Sequence, residues 1–247
     1  MSKTFLGKLE TLAVRTIYPY GSVRTVLRGP LRGTQFIVQP GGMGFSYALM
    51  WAPFQEDFLS EKISPGDTVF DIGANRGQTA LLFAQEVGSS GQVIAFEPVE
   101  ELAELISENT GLNDFQNVDT INAAACSEEG EVAFEYSEEQ STRGSISRDE
   151  DGDGETIEVQ AVTLDSIAER RGYPDFLKID VEGEAGEVIR GAPKVLRREP
   201  NIYIEIHGEN EKRAVKKGLL KRGYTAWTLD GRKASAIPNG GPLWLKS

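Results

Sequence analysis

From about residue 66 onward, short apolar runs alternate with stretches of helical periodicity, and this alternation constrains the fold more than any other feature of the 247-residue chain. Thr68–Ile72, Gln92–Phe96, Val118–Ala123, Phe176–Val181 and Asn201–Ile206 read as strands. Gln78–Val87, Val99–Thr110, Gly183–Arg197 and Asn210–Arg222 read as helices, with Leu102, Leu105 and Ile106 on one face of the second. Strands this apolar must be covered on both faces, so the pattern predicts an α/β fold with a doubly wound, mostly parallel sheet.

Two regions break the rhythm. Glu131–Tyr136 and Thr156–Val162 both alternate polar with apolar residues around a polar, acidic stretch, 137–155, which predicts an inserted acidic β-hairpin with a mobile tip. At the end of the chain, Tyr224–Leu229 and Pro242–Lys246 read as two last strands, antiparallel. Residues 1–60 are expected to form an N-terminal extension and 61–247 the main domain. Within the extension, Val23–Leu27 and Thr34–Val38 flank a Gly-Pro turn and suggest a small hairpin. Gly44–Lys62 has a helical look interrupted by Pro53.

Composition removes several classes of function. No run approaches the roughly 18 apolar residues of a membrane span, and the first residues lack the apolar core of a signal peptide. A single cysteine, Cys126, makes neither an intrachain disulfide nor a thiolate zinc cluster. His207 is the one histidine. The expectation is therefore a soluble, cytoplasmic protein. The net charge of −12 is uneven: residues 1–55 hold six basic groups against one acid, about +5, which leaves about −17 for the rest. A body of that charge repels phosphate backbones, so nucleic acid is not expected as a substrate. The bland account of the surplus acid is solubility. For the basic arm, one reading is a weak contact of residues 1–32 with an anionic membrane surface, which would make the protein peripheral there. The other folds the arm back onto the acidic body as a lid.

The segment Asp71-Ile-Gly-Ala-Asn-Arg-Gly77 lies where the first strand turns into a helix. Gly73 and Gly77 permit close backbone approach, and the helix that follows offers free N–H groups and the positive end of its dipole. Glu97 follows the second strand, 20 residues after Gly77, where a carboxylate accepts both hydroxyls of a ribose. A nucleoside site at the carboxyl edge of the sheet follows, with Asp71, Gly73, Asn75, Gly77, Glu97, Asn122 and Asp180 as its candidate residues. Started at Gly73, the dinucleotide fingerprint needs glycine where Asn75 and Gln78 stand. That disfavours a nicotinamide-dependent oxidoreductase, the first alternative. A non-enzymatic module binding a nucleoside or a partner is the second. Asp71 suits a cofactor carrying an ammonium group better than one carrying a pyrophosphate.

Five segments in order, Asp71–Ala80, Ala95-Phe-Glu-Pro98, Thr163-Leu-Asp165, Leu177-Lys-Ile-Asp-Val-Glu-Gly183 and Glu205-Ile-His207, resemble the FkbM-type family of S-adenosylmethionine-dependent methyltransferases over roughly residues 66–210. The resemblance implies a seven-stranded Rossmann-like sheet, S-adenosylmethionine as cofactor, and O-methylation of a hydroxyl or carboxylate on a sugar, glycan or other small molecule.

A second cluster closes the later strands. Alternation puts Lys178 and Asp180 on one face, with Glu182 in the next loop, and puts Glu205 and His207 together at the end of the fifth strand. Asp180, Glu182, Glu205 and His207 are the candidate catalytic residues, and Lys178 is read as a structural partner of Asp180. A hydroxyl acceptor needs a base, for which His207, Asp180 and Glu205 are candidates; a carboxylate acceptor needs none. No metal is expected. Asp149–Gly154 imitates a calcium loop but meets Gln160 where a bidentate Glu belongs.

Overall fold

The computed structural model describes residues 19–38, 54–136, 144–146 and 155–247. The lid or membrane role of the first residues, the stretch 44–53 and the calcium-like loop lie outside the described residues.

A short hairpin comes first. β1 (Val23–Thr25) pairs antiparallel with β2 (Gln35–Ile37), and α1 (Phe54–Lys62) follows. The main sheet is built from β3 (Thr68–Ile72), α2 (Gln78–Val87), β4 (Gln92–Phe96), α3 (Glu100–Leu112) and β5 (Val118–Ile121). A side sheet interrupts it, with β6 (Ala124–Ala125), β7 (Gly130–Tyr136), β8 (Gly144–Ile146) and β9 (Glu155–Val162). The chain returns through α4 (Leu164–Arg171), β10 (Phe176–Ile179), α5 (Ala185–Arg190), α6 (Pro193–Leu196), β11 (Asn201–Ile206) and α7 (Glu209–Ala214). It ends with β12 (Thr225–Trp227) and β13 (Gly241–Lys246).

Seven strands form the main sheet in the order β12-β13-β11-β10-β3-β4-β5. The pairs among β11, β10, β3, β4 and β5 are parallel, and β13 runs antiparallel to both its neighbours. The expected doubly wound α/β sheet is therefore present, and the order reverses between β3 and β10, where open α/β sheets bind ligands. Alternation along each strand feeds two cores. Phe70, Ile72, Leu177, Ile179, Ile202 and Ile204 face the layer of α4, α5 and α6. Val69, Val93, Phe176 and Tyr203 face α1 and α2, meeting Leu59, Leu82 and Phe83. The N-terminal hairpin is stitched to α3 by side-chain amides: Gln35 N–H donates to Asn113 and Ile37 N–H to Asn109.

Several expected elements differ in detail. The third strand stops at Ile121 rather than Ala123, because Asn122 turns its amide onto the carbonyls of Glu97 and Pro98, each at 3.0 Å, and Ala124 starts the side sheet. The fourth stops at Ile179 instead of Val181. The helix expected over Gly183–Arg197 is two helices. Gly191 lies so close to the Cys126 carbonyl that a Cβ would sit 1.9 Å from its oxygen, and Pro193 restarts the helix at its first turn. The Asn210–Arg222 helix begins at Glu209, passes into a π turn over Val215–Leu219 and ends as a 3₁₀ turn. The acidic hairpin is present as β7 against β9, but it is part of a four-stranded sheet in which β8 adds to β7 and β6 pairs parallel with β9.

Candidate active site

The turn after β3 is held by the end of β4. The N–H groups of Gly73 and Ala74 both bond to the Phe96 carbonyl, at 3.1 and 3.0 Å. This puts Glu97, one residue on, against the turn: its carboxylate accepts from Asn75 N–H at 2.8 Å and from Val99 N–H at 3.1 Å. Gly73, Asn75 and Gly77 all have positive φ, at 76°, 52° and 81°. Gly73 admits no side chain, because a Cβ there would lie 2.1 Å from the Asp180 carbonyl oxygen. Asp180 N–H bonds in turn to the Ile72 carbonyl at 3.0 Å, so the glycine turn and the end of β10 pack backbone to backbone.

Glu97 is 5% exposed, and burial pushes its carboxyl up to about pH 7 in spite of the two backbone donors and the Lys178 charge. Each oxygen spends one lone pair on a backbone N–H and keeps another. Asn122 is exposed, but its amide nitrogen is spent on the Glu97 and Pro98 carbonyls, so it positions Glu97.

Asp71 departs from expectation. It has no exposed surface, and the ammonium it holds is the chain's own: Lys178 Nζ lies 3.1 Å from its Oδ1, while Thr79 donates to Oδ2 at 2.6 Å. Lys178 is also closer to Asp71 than to Asp180, at 3.7 Å, and donates to the Gly73 carbonyl at 2.8 Å. The parallel register places Lys178 directly opposite Asp71. Burial pulls the Lys178 ammonium down, but Asp71 and Asp180 more than offset that and hold it above its ordinary value. Asp71 and Lys178 thus brace the turn from beneath, both buried and turned toward each other.

The later strand ends converge as expected for Asp180, Glu182 and His207. His207 Nε2 lies 3.0 Å from Asp180 Oδ1, and Nδ1 lies 3.3 Å from Glu182 Oε2. The hydrogen bond to Asp180, with Glu182 nearby, outweighs burial and raises the imidazole to about pH 9. At neutral pH this ring, 23% exposed, is a cation clamped by two carboxylates. Asp180 is shifted the other way: burial alone would raise it, but Lys178 and His207 together bring it below its usual range. Glu205 shares their face and makes no hydrogen bond or ion pair among the described residues. Burial first, and the Asp180 charge second, raise its proton affinity.

Glu211 completes the cluster and was hidden in the sequence. It is fully buried in α7, where it accepts the N–H of Gly183 at 3.1 Å and the N–H of His207. It ties the loop carrying Glu182 to the end of β11. The one signal for it was an acid in the first turn of a helix directly after His207-Gly208.

The geometry is that of two adjoining half-sites: a glycine turn capped by a buried carboxylate, and an imidazolium held at the strand ends beside it. Residues 71–225 match the model of the methyltransferase FkbM domain. The hexuronic acid methyltransferase AglP of Haloferax volcanii is 26% identical over 170 residues, covering 65% of this chain and 64% of that protein. An arsenite methyltransferase of Halobacterium salinarum is 40% identical over 57 residues, 23% of this chain and 15% of that protein. The chain thus spans less than two thirds of either relative's length. Among solved structures, the methyltransferase FkbM from Methylobacillus flagellatus KT aligns with a TM-score of 0.49 and 16% identity, over 74% of this chain and 44% of that one. With the family model matching well over half of its residues, the chain belongs to the FkbM-domain methyltransferase family.

Proposed function

We propose that this methyltransferase transfers a methyl group to an oxygen of a sugar acid, and that the oxygen belongs to the acid's carboxylate. The observation that carries the proposal is the His207 clamp. An imidazole protonated up to about pH 9 is a poor general base at neutral pH, and Asp180, held below its usual range, is a weak one. A carboxylate acceptor is already ionised and needs no base. His207 is the cation at this edge that it would meet, since Lys178 is buried. The name of the relative from Haloferax volcanii, a hexuronic acid methyltransferase, supports an acidic sugar as acceptor.

The family implies S-adenosylmethionine as methyl donor, and the described residues fit it. The backbone at Gly73 leaves no room for a side chain beneath the turn, and Glu97 keeps one lone pair on each oxygen for a pair of ribose hydroxyls. Two hydroxyl donors would restore to the buried carboxylate the solvation that burial takes away. In this reading Gly73, Asn75, Gly77 and Glu97 hold the nucleoside, with Asn122 positioning Glu97 from behind. When bound, the donor supplies a methyl group on a sulfonium, an electrophile that asks for alignment more than activation. Asp180 and Glu182 fix the His207 ring, and His207 orients the acceptor. Asp71 and Lys178 keep the turn in place.

A second reading has an observation of its own. Glu205 is unengaged among the described residues and has raised proton affinity, which suits a base for a hydroxyl acceptor. One experiment separates the two. Incubate the protein with methyl-labelled S-adenosylmethionine and glucuronic acid, isolate the product, and treat it with mild alkali. The proposal predicts label released as methanol from an ester. Alkali-stable label means an ether, which would replace the carboxylate by a hydroxyl and make Glu205 the base. Binding of S-adenosylmethionine without label on any uronic acid would remove the acceptor assignment.

A further inference from the structure

On a chain of net −12, the segment 209–222 stands out. It carries six basic side chains against two acids, Glu209 and Glu211, and Glu211 is buried. Between this segment and α5 runs a groove of about 500 Å³. Its floor is made by small residues. Gly218, in the π turn, sits so close to α5 that a Cβ would come within 2.5 Å of Ile189 Cγ2, and Gly186 faces Ala214. Its rim carries Arg190, Arg213, Lys217 and Arg222 against Glu184 and Glu187, and Glu187 is already engaged by Ser127 and Arg190.

Arg213 and Lys217 are exposed and make no hydrogen bond or ion pair among the described residues, whereas Lys212 beside them is tied to Glu209 and Asn239. Both line the groove, and Glu209, one turn before Arg213, is outweighed by the basic side chains around it. A guanidinium fork beside a flexible ammonium is the combination that takes a phosphate: one bidentate donor and one point charge. Gly183 lines one end of the groove, and its N–H shares the Glu211 carboxylate with the N–H of His207. The groove therefore opens beside the loop that carries Glu182.

We propose that this groove is an anion subsite that binds the phosphate of a glycosyl phosphate acceptor, while the acidic sugar of the same molecule reaches His207. The proposal rests on the sugar-acid reading above for its second half; its first half, phosphate in the groove, stands alone. The test uses the full chain and an R213E/K217E variant, both changes lying on exposed positions outside the Gly73–Glu97 turn. Titrate pyrophosphate by calorimetry at low salt. The wild type should bind, with affinity falling as salt rises, and the variant should bind about tenfold more weakly or worse while its S-adenosylmethionine affinity is unchanged. Then compare glucuronic acid with glucuronic acid 1-phosphate as acceptors. The phosphate should lower KM in the wild type with kcat unchanged, and the variant should lose the difference.

No pyrophosphate binding at low salt, or equal binding by the variant, overturns the subsite whatever the acceptor is. Pyrophosphate binding without any preference for the phosphorylated sugar overturns its role in acceptor recognition. Absence of transfer to both sugars, with pyrophosphate binding intact, counts against the sugar-acid reading and not against the groove. Vesicles of phosphatidylglycerol form the last arm. Sedimentation that depends on Arg213 and Lys217, without pyrophosphate binding, would make the groove a membrane contact and overturn the proposal.

Discussion

Replacing Lys178 by Met should be among the most damaging single changes available in this chain, and the structure says by how much. Lys178 is 4% exposed and Asp71 is completely buried, so the Lys178–Asp71 contact at 3.1 Å is shielded from water. At an effective dielectric of about 20, the attraction at that distance is on the order of 5 kcal/mol. Lys178→Met leaves Asp71 with the Thr79 hydroxyl alone and the Gly73 carbonyl without its donor. Breaking a buried pair from one side typically costs about 3–5 kcal/mol, because a charge is left without a partner. Removing both charges is far milder, so Lys178→Met combined with Asp71→Leu should recover at least half of the loss. Urea unfolding at pH 7, followed by circular dichroism, measures both. In the wild type the ammonium is held above its ordinary value, so the contribution of the pair should persist through neutral pH and fade only as pH rises above about 10. A loss under about 1 kcal/mol for Lys178→Met, or a double variant no more stable than the single one, would refute the bracing role.

Three further outcomes follow from the site. With Glu97 raised to about pH 7 when free, and its ionised form favoured by ligand hydroxyls, S-adenosylmethionine affinity should climb as pH rises from about 5.5 to 7.5 and then level off; calorimetry in buffers of different ionisation enthalpy should show proton release below pH 7. His207 is raised from its ordinary value near 6.5 to about 9, so the stability it confers is complete below about 6.5 and lost as pH rises through 9; a thermal-melt series across that window should slope downward in the wild type and flatten in His207→Ala. Gly73→Ala, which drives a methyl into the Asp180 carbonyl from a left-handed backbone, should cost more than about 2 kcal/mol of stability and impair both half-sites together, measured by urea unfolding and S-adenosylmethionine titration.

The chemistry-bearing turn was legible because its signals are local. Thr68–Ile72, Gln78–Val87 and Gln92–Phe96 have the bounds their periodicity predicts, and the spacing from Gly77 to Glu97 is a strand and a helix long. The meeting of Asp180, Glu182 and His207 was legible too, since a parallel sheet brings strand ends to one edge. What was hidden depends on contacts between distant segments. Alternation placed Lys178 beside Asp180, but only the register of β3 against β10 reveals Asp71 as its nearer partner. The break at Gly191 comes from the Cys126 carbonyl, 65 positions away. Little in the local spacing marks Glu211, whose contacts come from two segments it does not belong to. The lack of a hydrogen-bond partner for Glu205 among the described residues and the cationic state of His207 likewise follow from who sits within a few ångströms, which spacing alone does not disclose.

If Glu97 and the glycine turn bind the methyl donor while His207 serves the acceptor, calorimetric titration of S-adenosylmethionine at pH 7.5 separates the two roles. The wild type should bind one equivalent. Glu97→Gln, folded by circular dichroism, should bind about thirtyfold more weakly or worse, as expected for loss of about 2 kcal/mol of charge-assisted hydrogen bonding. His207→Gln should bind as the wild type does. Undiminished binding by a folded Glu97→Gln variant, or its loss in His207→Gln alone, would contradict the account.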